Sequence, residues 1–214
     1  MKLFNPTENT MINIKTRLFL LMFGLCICNQ GWGQQTRLGQ DVVAICFTCH
    51  GEKGASKVSQ YPILAGQHEY YMYVQLKDFK AGLRASPEMN QLTTNLSKEE
   101  MKAFAKYFTQ QEWPALGMKA SADIIQQGKT AAVAGQCVQC HRGGYEGDSR
   151  IPRLAGLHSE YLEKTMLDFK YKRRNNAAAK SSLFASFSDE DITALAGYIG
   201  SLSVQKKSHS SEIQ

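Results

Sequence analysis

Two short stretches of this chain have the residue types and spacing for covalent chemistry. They are CFTCH at 46–50 and CVQCH at 137–141. Cys-x-x-Cys followed at once by His is the spacing of c-type haem attachment. On a helix, positions i, i+3 and i+4 share one face. Both thiols can therefore form thioethers to the vinyl groups of one porphyrin while the imidazole reaches its iron. The pattern predicts two covalently bound haem c groups. Cys46, Cys49 and His50 would hold one, and Cys137, Cys140 and His141 the other. A disulfide scaffold or a zinc ribbon also uses paired cysteines, but neither needs a His directly after each second Cys.

The remaining cysteines, Cys26 and Cys28, fall in a segment of different character. Lys15 and Arg17 precede the apolar run LFLLMFGLCIC (18–28), and the small residues Gly31 and Gly33 follow. This is the order of a secretory signal, so residues 1–33 are expected to be a signal peptide, with Met1 or Met11 as its start. The run is short for a membrane span, which needs roughly 20 apolar residues. Lipidation at Cys26 or Cys28 fits poorly after the large residues Leu25 and Ile27. With that segment removed, every cysteine belongs to a haem motif. The net charge of +6 is modest, and no Lys/Arg stripe interleaves with aromatics, so no nucleic acid is expected as a partner.

The elements that must position these residues are duplicated. YPILAGQHEYYMYVQLKDFKAGLR follows the first motif, and IPRLAGLHSEYLEKTMLDFKYKRR follows the second. Pro62 to His68 matches Pro152 to His158, and Asp78-Phe79-Lys80 matches Asp168-Phe169-Lys170. LSKEEMKAFAKYF pairs with FSDEDITALAGYI. The spacing between copies is 91 at Cys46 and Cys137, 90 at Leu64 and Leu154, and 91 again at Ser97 and Ser188.

Each copy reads as helical, with no period-two strand. Ser97-x-x-Glu100 is a capping box, followed by Met101, Phe104, Ala105 and Phe108 on one face. Ser188-x-x-Asp191 opens its counterpart, with Ile192, Leu195, Ala196 and Ile199 inward. His68 and His158 recur at one position in both copies, which suits a structural role. His209 lies in a polar tail.

Taken together, the two Cys-x-x-Cys-His motifs, the two P-x-L-A-G segments and YVQLKDFKAGLR resemble the cytochrome c4 family of exported dihaem proteins. The resemblance covers about residues 37–203. It implies an all-α fold of two tandem class I cytochrome c domains, expected at 34–112 and 121–203. Trp113-Pro114 and Gly117 mark the expected linker at 113–120, and the polar tail at 204–214 is expected to be disordered. The resemblance implies a periplasmic location. It also implies that Pro62 and Pro152 help hold the proximal histidines through a backbone carbonyl, and that Met89 is the sixth ligand of the first iron.

The second copy departs from this pattern. The position matching Met89 is Lys180, and no Met follows Phe169. Met166 sits at a helical position matching Leu76, which suits packing. Three readings stand side by side. Lys180 binds the second iron as a neutral amine, or that iron keeps an open or water-bound site, or Asn175, Asn176 or Lys172 swings in.

The function expected is an electron carrier rather than an enzyme. It would work between redox partner proteins such as a dehydrogenase and a terminal oxidase or reductase, with docking to membrane complexes included. The alternative is a haem enzyme or small-ligand sensor using an open or Lys-ligated second haem.

Overall fold

A computed structural model describes residues 43–203. The expected signal peptide (1–33), the tail from 204 onward and His209 lie outside the described residues. The helices are α1 (43–50), α2 (Glu69–Lys80), α3 (Pro87–Thr93), α4 (Lys98–Thr109), α5 (Ala122–Ala134), α6 (Val138–His141), α7 (Ser159–Lys170), α8 (Ala178–Ala185) and α9 (Asp189–Gly200). Pairing between extended backbone among the described residues is confined to the isolated bridges Arg84–Arg174 and Asp148–Ile151. The molecule is all-α, in agreement with its periodicity.

Local chemistry explains where these helices begin. The Ser97 hydroxyl accepts from the Glu100 amide at 3.1 Å, and the Glu100 carboxylate accepts from the Ser97 amide at 2.7 Å. These reciprocal bonds satisfy two amides that the first turn would otherwise leave unpaired. Ser188 caps α9 through the Asp191 amide, and Ser121 caps α5 through that of Ile124. In α4 the buried side chains are Met101, Phe104, Ala105 and Phe108, a single face at helical spacing.

In the first half α2 packs on α3 and α4. In the second half α9 packs on α5 and α7, and α7 on α8. One core gathers Val43, Met72, Phe104, Ala105 and Phe108. The other gathers Leu162, Met166, Ile192, Leu195 and Ile199, and Ile63 and Ala65 of the first half are built into it. Met166 is therefore core, as its helical position suggested.

The halves meet through a pair of histidine bonds that repeats across the duplication and a glutamine clamp that does not. The His68 Nε2 donates to the Glu146 carbonyl at 2.8 Å, and the His158 Nε2 donates to the Ser56 carbonyl at 3.0 Å. Gln67 clamps the Arg153 backbone, accepting its amide at 2.9 Å and donating to its carbonyl at 3.0 Å. The duplicated histidines are structural, and each reaches into the other half. This self-complementary arrangement is that of a two-fold interface between like units.

Gly128 marks a tight helix crossing. A Cβ there would lie 2.4 Å from the Ala194 carbonyl oxygen and 2.4 Å from the Tyr198 Cβ. Overpacking costs about 1–3 kcal/mol, against a helix-propensity gain of about 1 kcal/mol for Ala over Gly. Gly128→Ala is expected to lower unfolding stability by up to about 2 kcal/mol. Far-ultraviolet circular dichroism in denaturant checks this, and a midpoint equal to or above that of the parent chain contradicts it.

Candidate haem site

α1 carries Cys46, Cys49 and His50 at i, i+3 and i+4. His50 is buried, and its Nδ1 lies 2.8 Å from the Pro62 carbonyl oxygen. A carbonyl can only accept, so Nδ1 carries the proton and Nε2 keeps the lone pair that a metal needs. Burial lowers the pKa of His50, the Pro62 carbonyl opposes this, and the charge of Arg84 adds to the lowering. The imidazole is thus held neutral. Burial pushes the Cys46 thiol up to about 11, and the Tyr61 hydroxyl interacts with Cys49.

The second half repeats this arrangement on a shorter element. His141 closes α6, a helix of four residues, with its Nδ1 3.0 Å from the Pro152 carbonyl oxygen. Burial pulls its pKa down to about 4, and the nearby charge of Lys180 works in the same direction. Cys137 is half-buried against the second core, and burial raises its thiol pKa. Cys140 is exposed. None of the four motif cysteines is spent in a disulfide.

Met89 and Lys180 both sit on short helices that no periodicity in the sequence announces. Met89 is the third residue of α3 and Lys180 the third residue of α8. Polar residues after a proline disguised a short helix whose start is set by Ser86, which accepts from the Met89 amide at 3.4 Å. The Asn90 side chain braces that helix by donating to the Arg84 carbonyl at 2.9 Å and accepting from the Ser86 amide at 2.7 Å. The second half has Ala177 where Ser86 stands, and α8 begins with no side-chain cap. The Lys180 Nζ lies 5.4 Å from the centre of the Phe169 ring.

A cavity of about 490 Å³ runs across both halves, lined among others by Cys46, Cys49, His50, Met89, His141 and Lys180. Asn175, the other named candidate, is exposed, while Asn176 is tied to Asp78 at 2.6 Å. Lys172 is exposed as well. The donor set suits a haem. Paired free thiols sit beside a neutral imidazole of set tautomer, and a sulfur or nitrogen donor shares the same apolar cavity. Sequence reasoning missed Tyr71, Gln75, Arg84, Tyr161 and Arg174, which also line it. The signal was available, because Arg84 and Arg174 end the repeated DFKAGLR and DFKYKRR.

Comparison with known proteins agrees with this geometry. The family model described as cytochrome c matches residues 37–116 and again 125–203. Cytochrome c4 of Pseudomonas aeruginosa is 35% identical over 176 residues, covering 77% of this chain and 87% of the relative. The chain belongs to the cytochrome c4 family. The crystal structure of reduced recombinant cytochrome c4 from Pseudomonas stutzeri superposes with a TM-score of 0.71 at 31% identity, over 78% of this chain and 98% of that one. A thiosulfate dehydrogenase electron acceptor of Stutzerimonas stutzeri is 29% identical, covering 73% of this chain and 78% of its own. This cytochrome therefore has two cytochrome c domains, carries two covalently bound haem c groups and acts in electron transfer.

Proposed function

We propose that this dihaem cytochrome is a periplasmic electron carrier with chemically unequal haem sites. In this reading Cys46 and Cys49 tether the first haem, His50 is its proximal ligand and Met89 its distal one. Cys137, Cys140, His141 and Lys180 take the same roles in the second half. The observation that carries the proposal is the duplicated imidazole-to-prolyl-carbonyl bond, at 2.8 and 3.0 Å, on the wall of a shared cavity. Haem iron supplies one-electron redox chemistry. The chain's own residues orient the imidazoles, keep them unprotonated and exclude water from around them.

Lys180 stands where Met89 stands in the other copy, on the same third position of the equivalent helix. Burial lowers its pKa to about 8, and the charges of Arg174 and Arg84 pull it the same way. A neutral amine is therefore accessible near physiological pH. A nitrogen donor favours ferric iron more than a thioether does, which makes the second site the less reducible of the two. Electrons entering there would pass on to the Met89 site.

The domain division at 113–120, the signal peptide and export are part of this proposal. The apolar run after Lys15 and Arg17 supports export. The partners are redox proteins. A dehydrogenase or quinol-oxidising complex would donate, and a terminal oxidase or reductase would accept, with docking to membrane complexes included. The relative named as an electron acceptor for thiosulfate dehydrogenase supports partnerships of this kind. A ligand-binding enzyme or sensor would need an open second iron, and the amine of Lys180 beside His141 favours the carrier.

Three outcomes test the reading. Replacing Cys137 and Cys140 together with Ala should lower covalent haem from two per chain to one, counted as pyridine haemochrome. Lys180→Met should double the long-wavelength charge-transfer band of methionine-ligated ferric haem, whereas Lys180→Ala should give a high-spin signal from the second haem alone. Unchanged spectra in both Lys180 variants exclude Lys180 as a ligand. Protonation competes with ligation, so acidification should detach the amine from iron at a pH below the metal-free amine's value of about 8, while the Met89 site holds. A pH titration of the oxidised spectrum from alkaline to acid reads that loss.

A further inference from the structure

The peptide group between Pro152 and Arg153 is held at both ends. Its carbonyl accepts from the His141 Nδ1 at 3.0 Å, and its amide, Arg153 N–H, donates to the Gln67 Oε1 at 2.9 Å. Gln67 belongs to the first half and is only 3% exposed. Its Nε2 donates to the Arg153 carbonyl at 3.0 Å, and its Oε1 also accepts from the His68 amide at 3.0 Å. The carboxamide is therefore anchored at the start of α2 and grips the Arg153 backbone at two points. Neighbouring amides bond within the second half: Ile151 to Asp148, and Leu154 and Ala155 to Tyr145. The Arg153 amide instead crosses the seam.

The other half has no counterpart to this clamp. By the offset of 90 that relates Leu64 to Leu154, Gln67 corresponds to Leu157 and Arg153 to Ile63. Both members of the pair are replaced by apolar residues, and Leu157 and Ile63 are buried together in the second core. A leucine side chain neither donates nor accepts, so Leu157 cannot grip the Pro62–Ile63 peptide that orients His50. The proximal histidines also differ in local support. His50 closes α1, described over 43–50, whereas His141 closes α6, a helix of four residues. A single turn fixes little by itself, so the second imidazole depends more on the carbonyl that faces it.

We infer that Gln67 is a positioning residue for the second haem, acting across the seam through the Pro152–Arg153 peptide on the His141 imidazole and lowering the potential of that haem alone. The inference rests on the proximal role of His141 and not on the identity of the distal ligand. Donation from Arg153 N–H to Gln67 polarises the peptide group and makes its carbonyl the better acceptor, since hydrogen bonds in a chain reinforce one another. Holding the amide also stops the peptide plane from turning away from the ring. A firmly accepted Nδ1–H makes Nε2 the more basic donor, and a more basic donor favours ferric iron. Gln67 lines the haem cavity as well, but its carboxamide is committed to the backbone of His68 and Arg153.

Three variants of Gln67 test this as holoprotein, with haem content counted first. Gln67→Leu copies the residue of the other half, Gln67→Met keeps the length without either polar group, and Gln67→Glu keeps an oxygen for the Arg153 amide. Redox titration followed in the visible spectrum reads both midpoints, and the chain with Cys137 and Cys140 replaced by Ala assigns the one that remains to the first haem. The Leu and Met variants should raise the reduced-to-oxidised ratio of the second haem at least about threefold, roughly 28 mV at about 59 mV per tenfold change. The first midpoint should not move. Gln67→Glu should leave the second midpoint at or below its parental value. An unchanged or lowered second midpoint in two-haem Leu and Met chains overturns the inference. So does a rise that the first haem shares equally, which marks a loosened seam, or a rise in the Glu chain. If neither apolar variant accumulates with two haems, the Glu chain decides: a second midpoint at or below parental supports the clamp, and a rise rejects it. His141→Ala separates the clamp from the ligand assignment beneath it. A second haem that keeps its parental midpoint without His141 removes the proximal assignment and the clamp with it. One that loses that midpoint, beside an unmoved Gln67→Leu chain, overturns the clamp alone.

Discussion

The hydrogen bond from an imidazole Nδ1 to a prolyl carbonyl is the contact on which the rest of this molecule is organised. It selects the tautomer that leaves Nε2 with a lone pair, and it fixes the plane of the ring. In each half it also closes the loop between the haem motif and the P-x-L-A-G segment, at 2.8 Å for His50 and 3.0 Å for His141. Burial cooperates by holding both rings neutral. An imidazole that stayed protonated would have no electron pair to offer.

The segment that supplies this carbonyl serves more than one purpose. Just beyond Pro62, Ile63 and Ala65 enter the core of the other half, and His68 bonds the Glu146 carbonyl across the seam. His158 returns the bond to Ser56. Ligand orientation and domain contact therefore rest on one short stretch, used twice. Disturbing the seam would move the carbonyl that holds the ring.

Against this near-symmetry, one difference lies in the short helices that carry Met89 and Lys180. Met89 sits on a helix capped by Ser86 and braced by Asn90, whereas Lys180 sits on one that starts at Ala177 with no side-chain cap. A soft thioether on one side and a buried amine on the other would separate the haems chemically while the polypeptide around them stays alike.

Spacing alone carried much of this. Cys-x-x-Cys-His is a local pattern, the 90- or 91-residue repeat needs no structure to see, and the helical faces of α4 and α9 follow from periodicity and their serine caps. Short α3 and α8 were not legible, because a helix of seven or eight residues among polar neighbours has too few turns to show a period. The duplication also indicated that His68 and His158 share a role, but not that each bonds a carbonyl of the opposite half. Sequence by itself determined the cofactor, the number of modules and the mismatch between Met89 and Lys180, since all three depend on residue identity at fixed spacing. Only the tertiary structure decided that Arg84 and Arg174 meet at one buried place, because residues 90 positions apart acquire a common environment only when two folded surfaces close on each other.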